Sequence, residues 1–591
     1  MPDAAGRGYA WGMLAAVAPR RWVFPQPPDT AAVHRLCQEL RLPPVLCGLL
    51  AQRGMAEPVA VRGFLRPHAG QLHAPGLLAG MGDAVARLRR ARERNEAILV
   101  HGDYDVDGIC STALYTRALG MMGLRALPFV PHRLVDGYDL SDAGIAEARK
   151  WGATLILTGD CGIVAHDAVE RAAAAGIDVI VTDHHTAGPT LPAAAAVVNP
   201  NRGDCEYPEK GLAGVGVAYK VCCALAAELG FPEERLHSFL DLVAVATIAD
   251  LAPLVGENRA LVRWGLKILP RTPNPGLRAL LRVTGLADKE VTATQVGFVL
   301  APRLNAVGRM GEALRGVRLL LTDDEREAEK IAATLEEENR WRQSVDGDTL
   351  RAALVQLETQ FDPDRDRGVV LAADGWHPGV IGIVASRVVE RIHRPTVMIA
   401  LDGGNDGKGS ARSIPGFHLY DAMRDCSEHL TRFGGHRMAA GCSIRPDRVD
   451  AFREAFDGRA RSLLEDDHLV PQVRVDLELE LHQADEELAR LIRHAGPFGM
   501  GNATPVFAVR GVRLAAPPKV VGKGHLKLTL GAFGHTLDAI GFGMAERLEE
   551  PGFFDGPLDV AFKLEENTWN GRTRPQAKLV DVRAAGLGTR D

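Results

Sequence analysis

The stretch His101-Gly-Asp103-Tyr-Asp105-Val-Asp107-Gly108 decides the fold. It follows the apolar run Ala97 to Val100 and precedes the run Ile109 to Leu119, so it reads as the turn between a buried strand and a helix. Its three carboxylates fall within five residues. At a strand end they repel one another unless a cation neutralises them, and burial raises that cost. A metal site is one reading of the turn; a solvated acidic loop or a calcium loop is the other. Recurrence of the pattern downstream decides between them.

Two further apolar runs end in polar or acidic groups. Thr154 to Thr158 leads into Gly159-Asp160-Cys161-Gly162, and Asp178 to Thr182 leads into Asp183-His184-His185. Helical patterns at Ser141 to Lys150 and His166 to Ala175 lie between them. Short apolar strands alternating with helices indicate a parallel sheet covered on both faces. Ligands of such sheets bind beyond the carboxyl ends of the strands. Asp105, Asp107, Asp160, His184 and His185 are therefore expected to meet along one edge. Asp250, which ends the run Leu242 to Ala249, is the expected closing ligand. Mixed imidazole and carboxylate donors with one bridging Asp match a site for two divalent ions, manganese preferred and magnesium the alternative.

At 591 residues the chain exceeds one hydrophobic core, which predicts several domains. A net charge of -6 gives no global basic field and counts against a nonspecific DNA coat protein. Nine cysteines without a Cys-x-x-Cys pair fit reduced thiols in the cytoplasm, with Cys110 and Cys161 as packing residues. No apolar stretch approaches the ~20 residues of a membrane helix. The patch Trp11 to Ala18 is too short and poorly flanked for a secretory signal.

Five regions follow from the pattern. Residues 1–75 form an N-terminal extension with helices at Thr30 to Arg41 and Pro44 to Gly54, expected to pack on the next domain. Residues 76–270 form the sheet domain. Within it, the glycines opening Gly211 to Gly230 serve either to present amides to a phosphate or to allow close helix packing. Residues 271–365 form a helical connector, with a capping box at Thr322 to Glu325 ahead of a charged run through Arg342. Residues 366–465 form a second α/β domain, with strands at Gly368 to Ala373 and Pro395 to Leu401 and helices at Val380 to Arg391 and His418 to Leu430. Two glycine-bearing turns, Gly407 to Ser413 and Gly434 to Gly441, carry Ser410, Arg412 and His436 as donors for phosphate oxygens. Residues 466–591 alternate short strands, the first at Val473 to Leu481, around one helix at Asp485 to His494, as in an OB-type barrel. Arg510, Arg513, Lys519, Lys523 and Lys527 line a nucleic-acid groove or make a solvated face, and Phe498 and Phe507 stack on bases or fill the core.

The set His101, Asp105, Asp107, Asp160, Asp183-His184-His185 and Asp250 resembles the four motifs of the DHH phosphoesterase superfamily. The wording HGDYDVDG, GYDLSDAGI, VTDHH, VVNPN, PRLNAVGRM, GWHPGVIGIVASR, GSARSIPGFHL and FGGHRMAAGC resembles one branch, the RecJ family of bacterial single-strand-specific exonucleases, over roughly residues 50 to 545. That resemblance implies a DHH domain, a DHHA1 substrate-binding domain and a terminal OB fold. It implies that His101, Asp105 and Asp160 hold one ion and that Asp107, Asp160, His184 and Asp250 hold the other. It implies that His185 faces the scissile phosphate, that Asp183 orients a histidine from behind, and that Asp103 is a supporting or turn residue. Substrate contacts are expected from Arg303, Asn305, Arg309, Ser410, Arg412, Ser413, Gly435 and His436, with Ser410 and Arg412 on the terminal 5′ phosphate and Arg309 as helper. The implied reaction is hydrolysis of single-stranded DNA from the 5′ end to 5′ mononucleotides, in recombination and mismatch repair. The implied partners are a single-stranded-DNA-binding protein and a RecQ-type helicase, acting with a monomer. Two alternatives stand beside it: a small-substrate phosphoesterase of the same superfamily, and an inactive scaffold like Cdc45, which predicts no tight manganese binding. Asp139 and Ala503-Thr504 depart from the family wording; Asp tolerates a left-handed turn, so little change is expected at Asp139.

Overall fold

A computed structural model describes residues 20–132, 136–137, 139–310, 313–550, 552–569 and 571–586, so the patch Trp11 to Ala18 lies outside the described residues. Strand Ala97–Gly102 is buried along its whole length and sits between Arg125–Phe129 and Ala153–Gly159. Asp178–Thr182 and Ala196–Val198 complete a five-stranded sheet in which every pairing is parallel. Numbered along the chain, the strands stand in the order 2-1-3-4-5, which reverses between the first and the third. Open parallel sheets bind ligands at such a reversal, beyond the carboxyl ends of the strands. His101 pairs with Thr158 and Gly102 with Gly159 there, which aligns the ends of the two decisive strands.

The run before Asp250 is a helix, Leu240–Ala249, buried from Leu240 to Ile248, and Asp250 is its C-cap. A run apolar on all sides gives no helical stripe, because a helix buried on every side has none to show.

The connector ends in a 36-residue helix, Glu325–Gln360. Its N-cap is Asp324, whose carboxylate accepts from the Arg326 and Glu327 amides, in place of the expected box begun by Thr322. The Thr322 hydroxyl is spent on Glu327 Oε2, 2.6 Å away. The buried face of the helix changes character along its length. Ala328, Ala332 and Leu335 join the core of the first domain, and Ala353 and Leu357 join that of the second. Between them Asn339, Arg342, Asp346 and Thr349 make a polar step.

The second domain is a mixed five-stranded sheet in the order Arg432–Gly435, Ala439–Ile444, Asn405–Arg412, Thr396–Asp402, Val369–Asp374. The stretch Gly407 to Ser413, expected as a turn, lies almost wholly in the strand Asn405–Arg412. Gly434 to Gly441 is likewise a hairpin, with Gly434 paired to Gly441. The expected helix His418 to Leu430 is shorter, Leu419–Asp425 followed by a 3-10 turn.

At the C-terminus, Phe507–Val521, His525–Ala532, His535–Gly541, Arg572–Ala584 and Leu558–Trp569 are hydrogen-bonded in that order. Pairing of the last with the first closes the barrel. The expected strand Val473 to Leu481 splits into Gln472–Arg474 and Leu477–Glu478. Phe507 is fully buried in the barrel core and Phe498 packs at its margin. Arg510 is ion-paired to Glu478, whereas Lys519 and Lys527 are exposed cross-strand neighbours.

The N-terminal extension does not pack mainly on the domain that follows it. Leu36, Leu46, Leu49, Leu50 and Val61 share one core with Leu488, Phe507, Val560 and Phe562 of the barrel. Strand Arg21–Val23 adds in parallel to Gln472–Arg474, and Trp22 donates to Asp581 at 2.7 Å. A seam holds this unit to the first domain. Arg259, 2 % exposed, lies over the Phe64 ring at 3.7 Å. It donates to the carbonyls of Phe64, Ala495 and Gly496 at 3.0, 2.9 and 2.7 Å. Arg259→Met strands those carbonyls and is expected to destabilise the junction by about 3 kcal/mol, read as a lower thermal midpoint. An unchanged midpoint would show that the seam holds without it.

All nine cysteines are free, Cys110 and Cys161 among the buried ones. No helix among the described residues is long and apolar enough to cross a membrane.

Candidate metal centre

The acidic turn is held by its own helix. Asp105 is the N-cap of Val106–Met121, and one of its oxygens accepts from the Asp107 and Gly108 amides at 2.9 and 3.1 Å. Its other oxygen stays clear of the cap. A Cβ on Gly108 would strike the Asp103 backbone, so the turn folds this tightly only with glycine there. Asn305 accepts from the Val106 amide at 3.3 Å, and Gly308 lies against the Tyr104 carbonyl.

Asp107, 1 % exposed, accepts from the Gly214 and Val215 amides at 2.8 Å each. Those are the amides of the glycine-rich opening, and a carboxylate takes them in place of a phosphate. A Cβ on Gly214 would come within 2.7 Å of Asp160 Cβ, which also makes this glycine a close-packing residue. Asp160 has φ 69, a left-handed conformation that non-glycine residues rarely hold. Such local strain gathers at functional sites.

His184 Nε2 lies 3.1 Å from Asp160 Oδ1, 3.8 Å from Asp107 Oδ2 and 3.6 Å from Asp250 Oδ2. Asp183 is buried and accepts from the amides of Ile163, His184 and His185. It also lies 2.8 Å from His185 Nδ1, and His185 Nδ1 lies 3.8 Å from Asp160 Oδ1. Asn199 and Asn201 hold the carbonyls of His185 and His184.

Three sets of donor atoms come within 4.8 Å of one another: Asp107, His184 and Asp250; Asp160, His184 and His185; Asp103, Asp105 and Asp160. Asp160 belongs to two of them. His101 belongs to none. Its Nε2 lies 3.4 Å from Ser141 Oγ and its Nδ1 3.8 Å from Cys161 Sγ, and Gly144 abuts the ring. Asp103, expected as a supporting or turn residue, brings a carboxylate within reach of Asp105 and Asp160. Its place in the Asp-Tyr-Asp-Val-Asp spacing was the available signal.

The electrostatics fit a cation. Burial first, then the charges of Asp250 and Asp105, push the Asp107 carboxyl well above the usual range. Burial, Asp107 and Asp105 do the same to Asp160. Burial and Asp105 raise Asp250 to about 7 against the lowering effect of His185. His184 is lowered to about 4 by burial and by His185. Burial alone would lower His185, yet its hydrogen bond and charge contact with Asp183 bring it up to about 9. Asp160 Oδ1 and His184 Nε2, 3.1 Å apart, are buried and make no hydrogen bond of good geometry among the described residues. Divalent ions relieve both the crowded carboxylates and these two unsatisfied atoms.

The remaining candidates are spread over the connector and the second domain. Arg412 donates to Ser410 Oγ at 3.2 Å and to the Ala411 carbonyl at 2.8 Å. Burial lowers its pKa. Gly382 faces both side chains. Ser413 is buried, its hydroxyl given to the Phe417 carbonyl. Gly435, at φ 140, and His436 shape the hairpin turn, where the His436 amide donates to the Ala439 carbonyl at 2.8 Å. Arg303 is ion-paired to Glu336 of the long helix. The Arg309 side chain lies outside the described residues. Asp139 has φ 81 and accepts from the Leu140 amide through its own side chain.

Family models match residues 97–247 as the DHH family N-terminal domain, 366–462 as the DHHA1 domain and 475–581 as the RecJ OB domain. A single-stranded-DNA-specific exonuclease RecJ from Dickeya dadantii is 40% identical over 555 residues, covering 90% of this chain and 95% of its own. The Escherichia coli protein of that name is 38% identical over 565 residues, covering 92% and 96%. The crystal structure of RecJ in complex with Mn2+ from Thermus thermophilus superposes with a TM-score of 0.81 at 33% identity, over 95% of this chain and 79% of that one. A Mg2+ complex from the same organism gives 0.76. Fold and site therefore define a metal-dependent phosphoesterase of the DHH class. Within that class, the chain belongs to the RecJ family of single-stranded-DNA-specific exonucleases.

Proposed function

We propose that the protein hydrolyses phosphodiester bonds of single-stranded DNA from the 5′ end, releasing 5′ mononucleotides. The observation that carries the reading is Asp160, shared by two donor sets at the point where the sheet order reverses. Asp103, Asp105 and Asp160 would hold one divalent ion, and Asp107, His184 and Asp250 the other, with Asp160, which also stands with His184, as the bridge and Asp103 in the place expected of His101. Such a pair, when bound, polarises a phosphoryl oxygen and supplies hydroxide at neutral pH. The protein's own groups do the rest. Asp183 holds His185 by its Nδ1 and so orients the ring that would face the scissile phosphate. The Gly214 and Val215 amides fix Asp107, and Asn305 steadies the acidic turn. On the second domain, Ser410 and Arg412 receive the 5′ phosphate. Manganese or magnesium suits the donors, and the named metals of the Thermus thermophilus complexes support the choice.

A barrel and an N-terminal extension joined into one unit favour a long strand over a dinucleotide. The cytoplasm, with a single-stranded-DNA-binding protein and a RecQ-type helicase as partners in repair, is the setting that this reading implies. The test is an oligonucleotide labelled at either end, with and without a 5′ phosphate, in manganese and in EDTA. Immediate metal-dependent release of 5′-labelled mononucleotide is expected. Release first from the 3′ end would overturn the polarity, and no release from either end would overturn the nuclease reading.

A further inference from the structure

Rows of side chains on the second sheet can be read across four of its strands. Val369, Thr396, Arg412 and Ala439 form one row; Leu371, Met398, Ser410 and Gly441 the next; Ala373, Ala400, Lys408 and Ser443 the third. The fifth strand adds Gly434 to the second row and Arg432 to the third. Successive rows are two residues, about 6.8 Å, apart. On the first two strands this face is covered by the long helix and by Ile381–Ile392, which bury Leu371, Met398 and Ala400. The covering stops there. A Cβ added to Gly434 would meet nothing within 4 Å, and one on Gly441 only the Gly409 carbonyl at 3.7 Å. A bare floor is left, flanked by cations.

Those cations lack acidic partners. Lys408 Nζ donates to Ser443 Oγ at 3.1 Å, and Arg412 only to Ser410 and a carbonyl. Among the described residues no carboxylate is ion-paired with Lys408, Arg412 or Arg432. The run ends at Asp406, whose carboxylate is held by the Thr431 hydroxyl at 2.6 Å. The direction of the rows is also fixed. The long helix enters from the first domain, and Gln356 Nε2 donates to the Ala372 carbonyl. The strand Val369–Asp374 then runs back along the helix until His377 meets Trp341, ring centroids 5.8 Å apart. The order Arg412, Ser410, Lys408 therefore leads towards the catalytic domain.

We propose that Lys408, with Arg432 and Ser443, forms a second phosphate subsite. It binds the phosphate on the 3′ side of the terminal nucleotide while that nucleotide lies over Gly434 and Gly441. The proposal rests on the reading of Ser410 and Arg412 as the 5′-phosphate site. One row's spacing approximates one extended nucleotide step, so the next phosphate reaches the Lys408 row as it reaches the catalytic domain. Lys408 is then a binding and positioning group for the scissile phosphate, on the side opposite the acidic cluster.

The matching probe is thymidine 3′,5′-bisphosphate, compared with thymidine 5′-monophosphate, in calorimetric titrations of the full-length protein in EDTA. The native protein is expected to bind the bisphosphate about tenfold more tightly. Lys408→Ala should remove that advantage, leave monophosphate affinity unchanged, and leave the thermal midpoint unchanged; Lys408→Arg should restore the advantage. Equal loss for both nucleotides, or loss for neither, would overturn the proposal. Failure of the underlying reading looks different: Arg412→Ala would then leave monophosphate affinity intact. On single-stranded DNA, Lys408→Ala should slow turnover alike on 5′-phosphate and 5′-hydroxyl ends, and a loss confined to phosphorylated ends would also overturn it.

Discussion

Replacing Asp160 by asparagine is expected to lower cleavage of single-stranded DNA by at least about 10³-fold while single-strand affinity, read by fluorescence anisotropy, changes by less than about threefold. Asparagine keeps the shape and tolerates the left-handed backbone at φ 69, so the comparison isolates the charge. Both donor sets that share Asp160 lose it together, whereas loss of Asp250 affects one. Asp160→Ala should be equally inactive and less stable, because alanine holds that φ less readily. Manganese titration should show weakened binding at both sites of the Asn variant. Ordinary turnover, or loss of one manganese only, would refute Asp160 as the shared ligand.

The second large effect is selective for the end of the substrate. Arg412→Ala is expected to reduce kcat/KM on 5′-phosphorylated strands by roughly 10- to 100-fold, the range of a charge-assisted hydrogen bond in a partly desolvated site. On 5′-hydroxyl strands it should cost little. The guanidinium is half-buried, touches Ser410 Oγ at 3.2 Å and, among the described residues, is ion-paired with no carboxylate, which is the state of a group awaiting an anion. Arg412→Lys keeps the charge but loses the planar fork, so partial activity is expected. Equal loss on both ends would place Arg412 in a structural role.

Much of the metal edge was legible because parallel strands buried on both faces must be apolar throughout, and an acid at their end has one direction to point. Asp105, Asp107, Asp160, His184 and His185 follow from that argument alone. His101 and Asp103 do not. Both sit at the strand end, and how near each comes to Asp105 and Asp160 depends on the packing of Ser141, Gly144 and Cys161 around the imidazole, contacts made across 40 to 60 residues of sequence. The strand Asn405–Arg412 was unreadable for a different reason. Its sequence, Asn-Asp-Gly-Lys-Gly-Ser-Ala-Arg, shows no apolar alternation because one side carries Lys408, Ser410 and Arg412 and the core side has room only for Gly407, Gly409 and Ala411. Gly407 and Gly409 mark close packing against Leu401, Ile399 and Cys442, and on sequence alone that signal is the same as a turn. The destination of the N-terminal helices was illegible too. Amphipathic spacing shows that Leu36, Leu46 and Leu50 need cover, but not whose.

The partnership of Leu36, Leu46, Leu49 and Leu50 with Phe507, Val560 and Phe562 has a meaning in time. A ribosome adding about 5 to 20 residues per second needs tens of seconds to bring the later residues out after the earlier ones. Throughout that interval the catalytic sheet and the long helix have all their own residues in hand, while the first helices lack their main packing surface. Assembly therefore runs inside out. The nuclease domain is finished first, and the helices made before it are among the last to find their place.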